Sequence, residues 1–203
     1  MTDSGSCGIP GGLYPSDCEV TEGLRRRAMS RQGQDERGYA WRNCLPLAKE
    51  IRLLLLDVDG VLTDGAIVYG NGGAELKAFN IKDGFGIRLL REAGVEVGII
   101  TARRSEAVER RAKDLKLAHV YQGVGNKLEA FAEILAARQL APGQVAYMGD
   151  DWLDLPLLSR VGLAATVADG VAEVKAVAHY VTRQAGGRGA VRRRSLSTAT
   201  EEI

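Results

Sequence analysis

Short apolar runs alternate along the chain with longer stretches in which apolar residues recur every three or four positions. A short run of this kind is typical of a strand buried on both faces, and the longer spacing is typical of amphipathic helices. The runs predict strands over residues 51–58, 95–100, 119–121, 145–148, 163–167 and 180–181. The longer stretches predict helices over residues 85–93, 105–117, 127–138, 153–159 and 171–178. This alternation predicts an α/β fold with a parallel sheet and helices on both of its faces.

Turn and capping residues mark the segments on either side of the first predicted strand. Two short runs, at residues 66–69 and 74–79, flank a Gly/Asn-rich turn and predict a β-hairpin. Asp83 is the predicted N-cap of the helix that follows the hairpin. Before the first strand, residues 41–50 predict a short helix with Pro46 near its start.

Composition limits the kinds of protein that this chain can be. A length of 203 residues and a hydrophobic content of 45% suit one domain with a packed core. The formal net charge of +1 indicates neither a nucleic-acid nor a membrane-surface partner, and no apolar run reaches spanning length. Three cysteines without a C-x-x-C pair favour a cytoplasmic location. Residues 1–40 lack a signal-peptide pattern and predict a disordered extension, within which Met29 is an alternative start to Met1.

Polar residues able to do chemistry follow several predicted strands at the points where those strands end. They are Asp57, Asp59, Thr101, Lys127, Asp150, Asp151 and Asp154. Because the carboxyl ends of parallel strands meet at one edge of a sheet, we expect these residues to converge. Several carboxylates in one place repel one another and need either a cation or protons. Oxygen ligands suit Mg²⁺, and the chain lacks the Cys/His spacing of a zinc site.

The same residues suit the transfer of a phosphoryl group. Thr101 and Lys127 supply a hydroxyl and an ammonium that complement anionic oxygens. We hypothesise that Asp57 is a nucleophile that forms an aspartyl-phosphate. Asp59 would be its acid/base partner, which protonates the leaving alkoxide and then deprotonates the attacking water. Metal and lysine would stabilise the charge of the phosphoryl group during transfer.

The spacing of these residues leaves no room for a large lid. Between Asp59 and Thr101 the chain has space for one hairpin and one helix, but not for a cap domain. Between Lys127 and Asp150 it has space for one helix and a turn. Water would then be excluded from the site either by a large substrate or by a neighbouring subunit.

Four ordered segments, DVDGVLTDG, ITARRS, GNK and YMGDDWLDLP, resemble the motifs of the haloacid dehalogenase (HAD) superfamily of phosphatases. The chain more closely resembles the 3-deoxy-D-manno-octulosonate 8-phosphate (KDO 8-phosphate) phosphatase family, through ELKAFNIKDGFGIRLL, YQGVGNK and YVTRQAGGRGAV. The resemblance implies a Rossmann-like, three-layer α/β HAD fold that is capless, with a β-hairpin flap after the first strand. It divides the chain into the extension at residues 1–40, a phosphatase domain at 41–191 and a mobile tail at 192–203.

The resemblance also implies a role for each matching residue. Asp57 is implied as nucleophile and metal ligand, Asp59 as acid/base with its backbone carbonyl on the metal, and Asp150 as a further ligand of Mg²⁺. Thr101 and Lys127 are implied to hold the phosphoryl group. Asp151 and Asp154 would act through water or through the ligands. The implied contacts to the sugar acid or its phosphate are Asp59, Asn80, Ile81, Lys82, Asp83, Gly84, Arg88, Arg103, Arg111 and Lys127.

The activity implied by the resemblance is Mg²⁺-dependent hydrolysis of KDO 8-phosphate to KDO and phosphate, a step in making a lipopolysaccharide precursor. The implied assembly is a homotetramer in which the hairpin, residues 66–79, packs between subunits. The glycine-rich residues 185–190 would reach the substrate of a neighbouring subunit. Two alternatives stand beside this reading: a phosphatase for another sugar phosphate, such as a nonulosonate 9-phosphate, and a non-catalytic oligomerisation module. The intact motifs argue against the second alternative.

Overall fold

Strands and helices alternate along the protein in a computed structural model that describes residues 41–72 and 74–192. The strands are β1 (Leu53–Leu56), β2 (Val68–Tyr69), β3 (Glu75–Leu76), β4 (Glu96–Thr101), β5 (His119–Gln122), β6 (Val145–Met148), β7 (Leu163–Thr166) and β8 (Tyr180–Val181). The α-helices are α1 (Trp41–Lys49), α2 (Ile81–Glu92), α3 (Glu106–Asp114), α4 (Lys127–Arg138), α5 (Leu155–Leu158) and α6 (Ala172–Val177). Short 3₁₀ helices at Pro142–Gln144 and Trp152–Asp154 lead into β6 and α5.

Six parallel strands form the central sheet, in the order β5-β4-β1-β6-β7-β8. The first strand lies in the middle, where Leu53 to Leu56 pair with β4 on one side and with β6 on the other. The hairpin strands β2 and β3 form a separate antiparallel pair outside this sheet. The predicted parallel sheet and the predicted hairpin are therefore both confirmed.

The central strand divides the core into two layers because its successive side chains point to opposite faces of the sheet. Leu54 and Leu56 join a cluster with Ile87 of α2 and with residues of α1 and α3. Leu53 and Leu55 join the opposite cluster, which includes Phe131 of α4 together with residues of α5 and α6. Burial on both faces explains why this strand is a continuous apolar run rather than an alternating one. The three-layer α/β fold predicted from the sequence is confirmed.

Local capping in the structure corrects the predicted start of α2. The cap is Asn80, not Asp83, and its side-chain oxygen accepts the backbone N–H of Lys82 at 2.9 Å. Asp83 lies inside the first turn, and its buried carboxylate instead accepts backbone N–H groups of Gly189, Val191 and Arg192 at 3.2, 2.9 and 3.1 Å. The prediction was wrong because an asparagine three residues earlier provides the same cap, which leaves Asp83 to hold the end of the described chain.

The first helix also differs from its predicted form. Pro46 is the sixth residue of α1 rather than lying near its start. Buried Cys44 and Ala48 of the same helix pack against the sheet, and this tertiary contact offsets the backbone hydrogen bond that a proline cannot donate.

Parts of the predicted domain division fall outside the described residues. Residues 1–40 and 193–203 lie beyond the described ranges, so the predicted extension and most of the predicted tail stay predictions. Residues 190–192 are helical, and the backbone N–H of Arg192 donates to Asp83 Oδ1 at 3.1 Å. Among the helices of residues 41–72 and 74–192, none is long and apolar enough to cross a membrane.

Candidate active site

The loop after the central strand places two carboxylates at the carboxyl edge of the sheet. Asp57 continues the ladder, since its backbone N–H donates to the carbonyl of Met148 at 2.9 Å. Gly60 then turns the chain with a φ of +83°, a conformation that favours glycine. A Cβ atom at this position would also overlap the carboxylate of Asp150. This glycine therefore allows the loops after β1 and β6 to approach each other closely.

A cavity of about 260 Å³ lies at this edge of the sheet. Its lining residues are Asp57, Asp59, Gly60, Gly65, Thr101, Ala102, Arg103, Lys127, Asp150, Asp151, Leu153 and Asp154. Every polar residue that the sequence placed at a strand end is in this set. Their convergence confirms the expectation that the parallel strands bring distant motifs together.

Lys127 is the buried cation of the cavity. It is the first residue of α4, and its Nζ lies 3.1 Å from Asp57 Oδ1 and 2.6 Å from Asp154 Oδ1. Burial disfavours the ammonium, but attraction to Asp57 and Asp154 outweighs burial, so the pKa of Lys127 is raised. The side chain is therefore a fixed positive charge beside the proposed nucleophile.

Tyr147 completes a hydrogen-bond network that the sequence analysis did not identify. Lys127 Nζ donates to the Tyr147 hydroxyl at 3.1 Å, and that hydroxyl in turn donates to Asp154 Oδ1. A tyrosine in the middle of an otherwise apolar strand is the one sequence signal that could have pointed to this role. The network thus holds the lysine through a fully buried tyrosine that does not itself line the cavity.

Asp154 is an anchor for the cavity rather than a free carboxylate. Its side chain is completely buried. Oδ1 accepts from Lys127 and Tyr147, while Oδ2 accepts the backbone N–H groups of Asp150 and Asp151 at 2.9 and 3.2 Å. Both oxygens are thus fully engaged, and Asp154 orients the lysine and the loop that carries Asp150.

Three carboxylates form a cluster with the spacing of a cation site. Oxygens of Asp57, Asp150 and Asp154 all lie within 4.8 Å of one another. Asp150 Oδ1 is buried and has no hydrogen-bond partner among the described residues. Because the oxygens of Asp154 are engaged, Asp57 and Asp150 are the side chains with capacity for a metal. An all-oxygen donor set with an unpartnered buried oxygen fits Mg²⁺.

Burial and mutual repulsion shift the pKa values of this cluster. The pKa of Asp57 is raised to about 6 by burial and by the charge of Asp154, against the opposing effect of Lys127. The pKa of Asp150 is raised to about 7 by burial and then by the charges of Asp154 and Asp57. Without a cation, the cluster therefore takes up protons near neutral pH.

Lowering the pH from 8 to 6 is expected to stabilise the metal-free protein. Asp57 and Asp150 have raised pKa values in the folded state, about 6 and about 7 against 3.8, so folding takes up protons in this window. This contribution is fully present below the unfolded pKa and is lost as the pH rises through the folded values. We expect a gain on the order of 1–2 kcal/mol, measured by urea unfolding in a chelator.

Saturating Mg²⁺ should remove most of this gain, because the cation replaces the protons between the carboxylates. Stability of the chelated protein that is flat, or that falls, between pH 8 and pH 6 would contradict the described electrostatics of the cluster.

The hairpin brings two charged residues into contact with residues that line the cavity. Lys77, immediately after β3, forms ion pairs with Asp59 Oδ1 and, at 3.0 Å, with Glu75 Oε1. Arg103 Nη2 donates to Glu75 Oε2 at 2.5 Å. The sequence motifs include Asp59 and Arg103 but do not single out Lys77 or Glu75, because a lysine and a glutamate on a hairpin form no local pattern that indicates a site.

Most of the other predicted substrate contacts lie away from this cavity. The residues that do not line it are Asn80, Ile81, Lys82, Asp83, Gly84, Arg88 and Arg111. Ile81, Gly84, Arg88 and Arg111 line a separate groove of about 660 Å³. In that groove Arg88 pairs with Glu92 at 2.7 Å, and Arg111 donates to the carbonyl of Asn80 at 3.3 Å. Their predicted contacts to substrate stay predictions.

Two residues of that set have clear structural roles within the subunit. Asp83 uses both carboxylate oxygens on backbone N–H groups, so it has little capacity for a substrate hydroxyl. Asn80 caps α2 and donates its Nδ2 to the carbonyl of Gly187 at 3.1 Å. Both side chains thereby join α2 to the glycine-rich segment.

The glycine-rich segment packs on the catalytic loop of its own chain. Gly187, with a φ of +65°, donates its N–H to the carbonyl of Val61 at 3.0 Å. A Cβ atom at Gly186 would overlap the carbonyl of Gly60. The segment therefore braces the turn after Asp59 in this subunit, and its predicted reach toward a neighbouring substrate stays a prediction.

Comparison with known proteins agrees with this geometry. A family of haloacid dehalogenase-like hydrolases matches residues 116–192. The 3-deoxy-D-manno-octulosonate 8-phosphate phosphatase KdsC of Yersinia pestis is 54% identical over 145 residues, which cover 71% of this chain and 78% of that protein. The corresponding protein of Escherichia coli K12 is also 54% identical over 145 residues, covering 71% of this chain and 77% of its own length.

Solved structures show the same relationship. The crystal structure of the Yersinia pestis phosphatase superposes with a TM-score of 0.75 at 49% identity, covering 77% of this chain and 86% of that one. A phosphatase of the same name from Moraxella catarrhalis, crystallised with magnesium, phosphate and KDO, has a TM-score of 0.75 at 38% identity, covering 77% and 90%. The protein described here therefore belongs to the KDO 8-phosphate phosphatase family of haloacid dehalogenase-like hydrolases.

Proposed function

We propose that this protein hydrolyses KDO 8-phosphate to KDO and inorganic phosphate in a Mg²⁺-dependent reaction. The observation that carries the proposal is the cavity that Asp57 lines together with Asp59, Thr101, Lys127 and Asp150, with Lys127 Nζ 3.1 Å from Asp57 Oδ1. This arrangement provides a nucleophile, a fixed cation, a hydroxyl donor, a metal ligand and an acid/base in one place. Membership of the KDO 8-phosphate phosphatase family supports KDO 8-phosphate as the substrate.

The first half of the reaction transfers the phosphoryl group to the protein. A carboxylate oxygen of Asp57 forms a bond to phosphorus while the bond between phosphorus and the C8 oxygen of the sugar breaks. Asp59, as a carboxylic acid, gives its proton to the departing oxygen, so KDO leaves as an alcohol. Lys127 and the Thr101 hydroxyl hold the phosphoryl oxygens, and the lysine offsets their charge during transfer.

The second half regenerates the enzyme. Asp59 is now a carboxylate and takes a proton from water as that water forms a bond to phosphorus. The bond between phosphorus and the Asp57 oxygen breaks, which releases inorganic phosphate and restores the carboxylate. Asp57 and Asp150, with the backbone carbonyl of Asp59, would hold Mg²⁺, which when bound supplies charge stabilisation to the phosphoryl oxygens.

The proposed substrate also explains the charge at the cavity mouth. KDO 8-phosphate carries a carboxylate as well as a phosphate, and the half-exposed Arg103 lines the cavity where such a group would lie. The groove with Arg88 and Arg111 shares no lining residue with this cavity. We therefore propose a cytoplasmic homotetramer in which a neighbouring subunit presents these arginines and covers the site.

A substrate panel tests the proposed function. We expect phosphate release from KDO 8-phosphate with a kcat/KM at least about 10-fold above that for a nonulosonate 9-phosphate and for hexose phosphates, because a longer sugar acid misplaces its carboxylate. Gel filtration of the same sample measures the assembly. A higher kcat/KM for the nonulosonate ester would transfer the proposal to that substrate, and no release from any ester would favour a non-catalytic module.

A further inference from the structure

Lys77 is a buried lysine of the hairpin that the reaction described above does not use. Its side chain is only 1% exposed, whereas Val68, Tyr69 and Leu76 of the hairpin strands are half exposed or more. Its Nζ contacts Asp59 Oδ1 and lies 3.0 Å from Glu75 Oε1. A buried ammonium is retained in a protein only where carboxylates compensate its lost hydration, and here there are two.

The contact with Lys77 distinguishes the two oxygens of Asp59. Oδ1 is engaged by the ammonium, while Oδ2 is buried and has no hydrogen-bond partner among the described residues. The Arg103 guanidinium approaches Oδ2 without a hydrogen bond, since its Nε is 4.0 Å away. One oxygen is therefore held in place and the other is left to exchange a proton with a reacting atom in the cavity.

We propose that Lys77 is a positioning residue that fixes Asp59 with Oδ2 as the oxygen that moves the proton. Oδ1 can accept from the ammonium whether Asp59 is a carboxylate or a carboxylic acid, so the contact persists through both halves of the reaction. The inference rests on the proposed function, since it assigns a task to the acid/base of that reaction. It also gives the hairpin a part in catalysis within its own subunit.

Glu75 links this arrangement to Arg103, another residue that lines the cavity. Its Oε1 lies 3.0 Å from Lys77 Nζ, and its Oε2 accepts from Arg103 Nη2 at 2.5 Å. Asp59 follows β1, Arg103 follows β4, and the other two residues belong to the hairpin. The four alternating charges thus join three separate segments around one acid/base, and the hairpin cannot move away without releasing Asp59.

Leaving-group dependence tests the proposal. An alkyl phosphate needs its departing oxygen protonated, whereas p-nitrophenyl phosphate releases a stable anion. For Lys77→Met we expect kcat/KM to fall about 100-fold with KDO 8-phosphate and less than about 5-fold with p-nitrophenyl phosphate. Lys113→Met, the same change at an exposed lysine of α3, is the matched control and should leave both values unchanged. If KDO 8-phosphate is not hydrolysed, the alkyl phosphate of the panel with the highest kcat/KM replaces it in this comparison. The proposed function can then be wrong while the proposed role of Lys77 is still tested.

A double-mutant cycle shows whether Lys77 acts through Asp59. In an Asp59→Asn background, Lys77→Met should change kcat/KM less than about 3-fold on either ester, because the acid/base that it positions is already absent. Lys77→Gln, which keeps a hydrogen-bond donor, should retain more activity than Lys77→Met and serves as the second variant if Lys77→Met fails to fold. The proposal would be overturned if Lys77→Met lowered kcat/KM equally on the two esters, or if its effect multiplied with that of Asp59→Asn. The ion pair of Lys77 with Asp59 would then be purely structural.

Discussion

Replacing Asp57 with asparagine is expected to lower kcat for phosphate release by about 10⁴-fold or more, because an amide cannot form the phosphorylated intermediate. Acid quenching of the unmodified enzyme with substrate carrying labelled phosphate should trap label on the protein, and the variant should trap none. The loss should come without unfolding. Burial raises the pKa of Asp57 to about 6, so removing its charge relieves repulsion in the metal-free cavity at pH 8.

Asp64→Asn is the matched control for this change. Asp64 is exposed beside the same loop, and its side-chain oxygen accepts the backbone N–H of Ala66 at 3.1 Å, a contact that an amide oxygen also makes. We expect its activity to match that of the unmodified protein. If Asp57→Asn still released phosphate at a comparable rate, Asp57 would not be the nucleophile and the reaction would proceed by direct attack of water.

Removing the metal is expected to have the second-largest effect. Chelation should lower kcat by about 10³-fold, and added Mg²⁺ should restore it, because lysine alone cannot offset both the carboxylates and the transferring phosphoryl group. Mg²⁺ binds only the folded cluster and should therefore also raise the melting temperature. The two readouts, activity and melting temperature measured against Mg²⁺ concentration, should give the same apparent affinity.

Asp150→Asn separates the metal from the general charge of the cavity. Burial and the neighbouring carboxylates raise the pKa of Asp150 to about 7, so its charge at pH 8 destabilises the metal-free fold. The variant, which lacks that charge, should therefore be more stable than the unmodified protein in chelator at pH 8. It should gain little from Mg²⁺, whereas Asp64→Asn should gain as much as the unmodified protein. Full stabilisation of Asp150→Asn by Mg²⁺ would place the cation elsewhere.

The hairpin has two different surfaces, and this bears on how the active site is enclosed. Its strand residues expose Val68, Tyr69 and Leu76, which suits contact with another subunit. Lys77 points the other way and reaches Asp59 of its own chain. If the proposed tetramer covers the outer surface, assembly and positioning of the acid/base become linked through one small element. Dilution of the enzyme below its assembly range would then lower activity on alkyl esters more than on aryl esters.

Strongly patterned elements were predictable from the sequence to the residue. The helix Lys127–Arg138 and the strand Val145–Met148 have the predicted bounds, because their apolar periodicity matches the element and turns flank them. The nucleophile strand was predicted over residues 51–58 but spans only Leu53–Leu56, because the two residues on either side of this apolar run lie outside the register that pairs with β4 and β6. The site residues at strand ends were also predictable, because a parallel sheet brings those ends to one edge.

Contacts between segments distant in sequence were not predictable, because they have no local pattern. Asp83 lies more than 100 residues before the backbone groups that it holds, and a helix cap nearby was the simpler local interpretation. Tyr147 carries the one polar side-chain group of its strand, a hydroxyl whose partners come from α4 and from the 3₁₀ helix after β6. The resemblance also implied that Arg88 and Arg111 contact the substrate. Within one subunit they line another groove, and their contact with substrate stays a prediction.

The sequence by itself determined the layered α/β fold, the family and the residues at the strand ends, because periodicity and motif spacing encode them directly. Only the tertiary structure decided which role each of those residues can take. In the fold both oxygens of Asp154 accept hydrogen bonds, one oxygen of Asp150 has no partner among the described residues, and Lys77 of the hairpin contacts Asp59. These assignments depend on distances of a few ångströms between separate segments, and only the folded chain sets such distances.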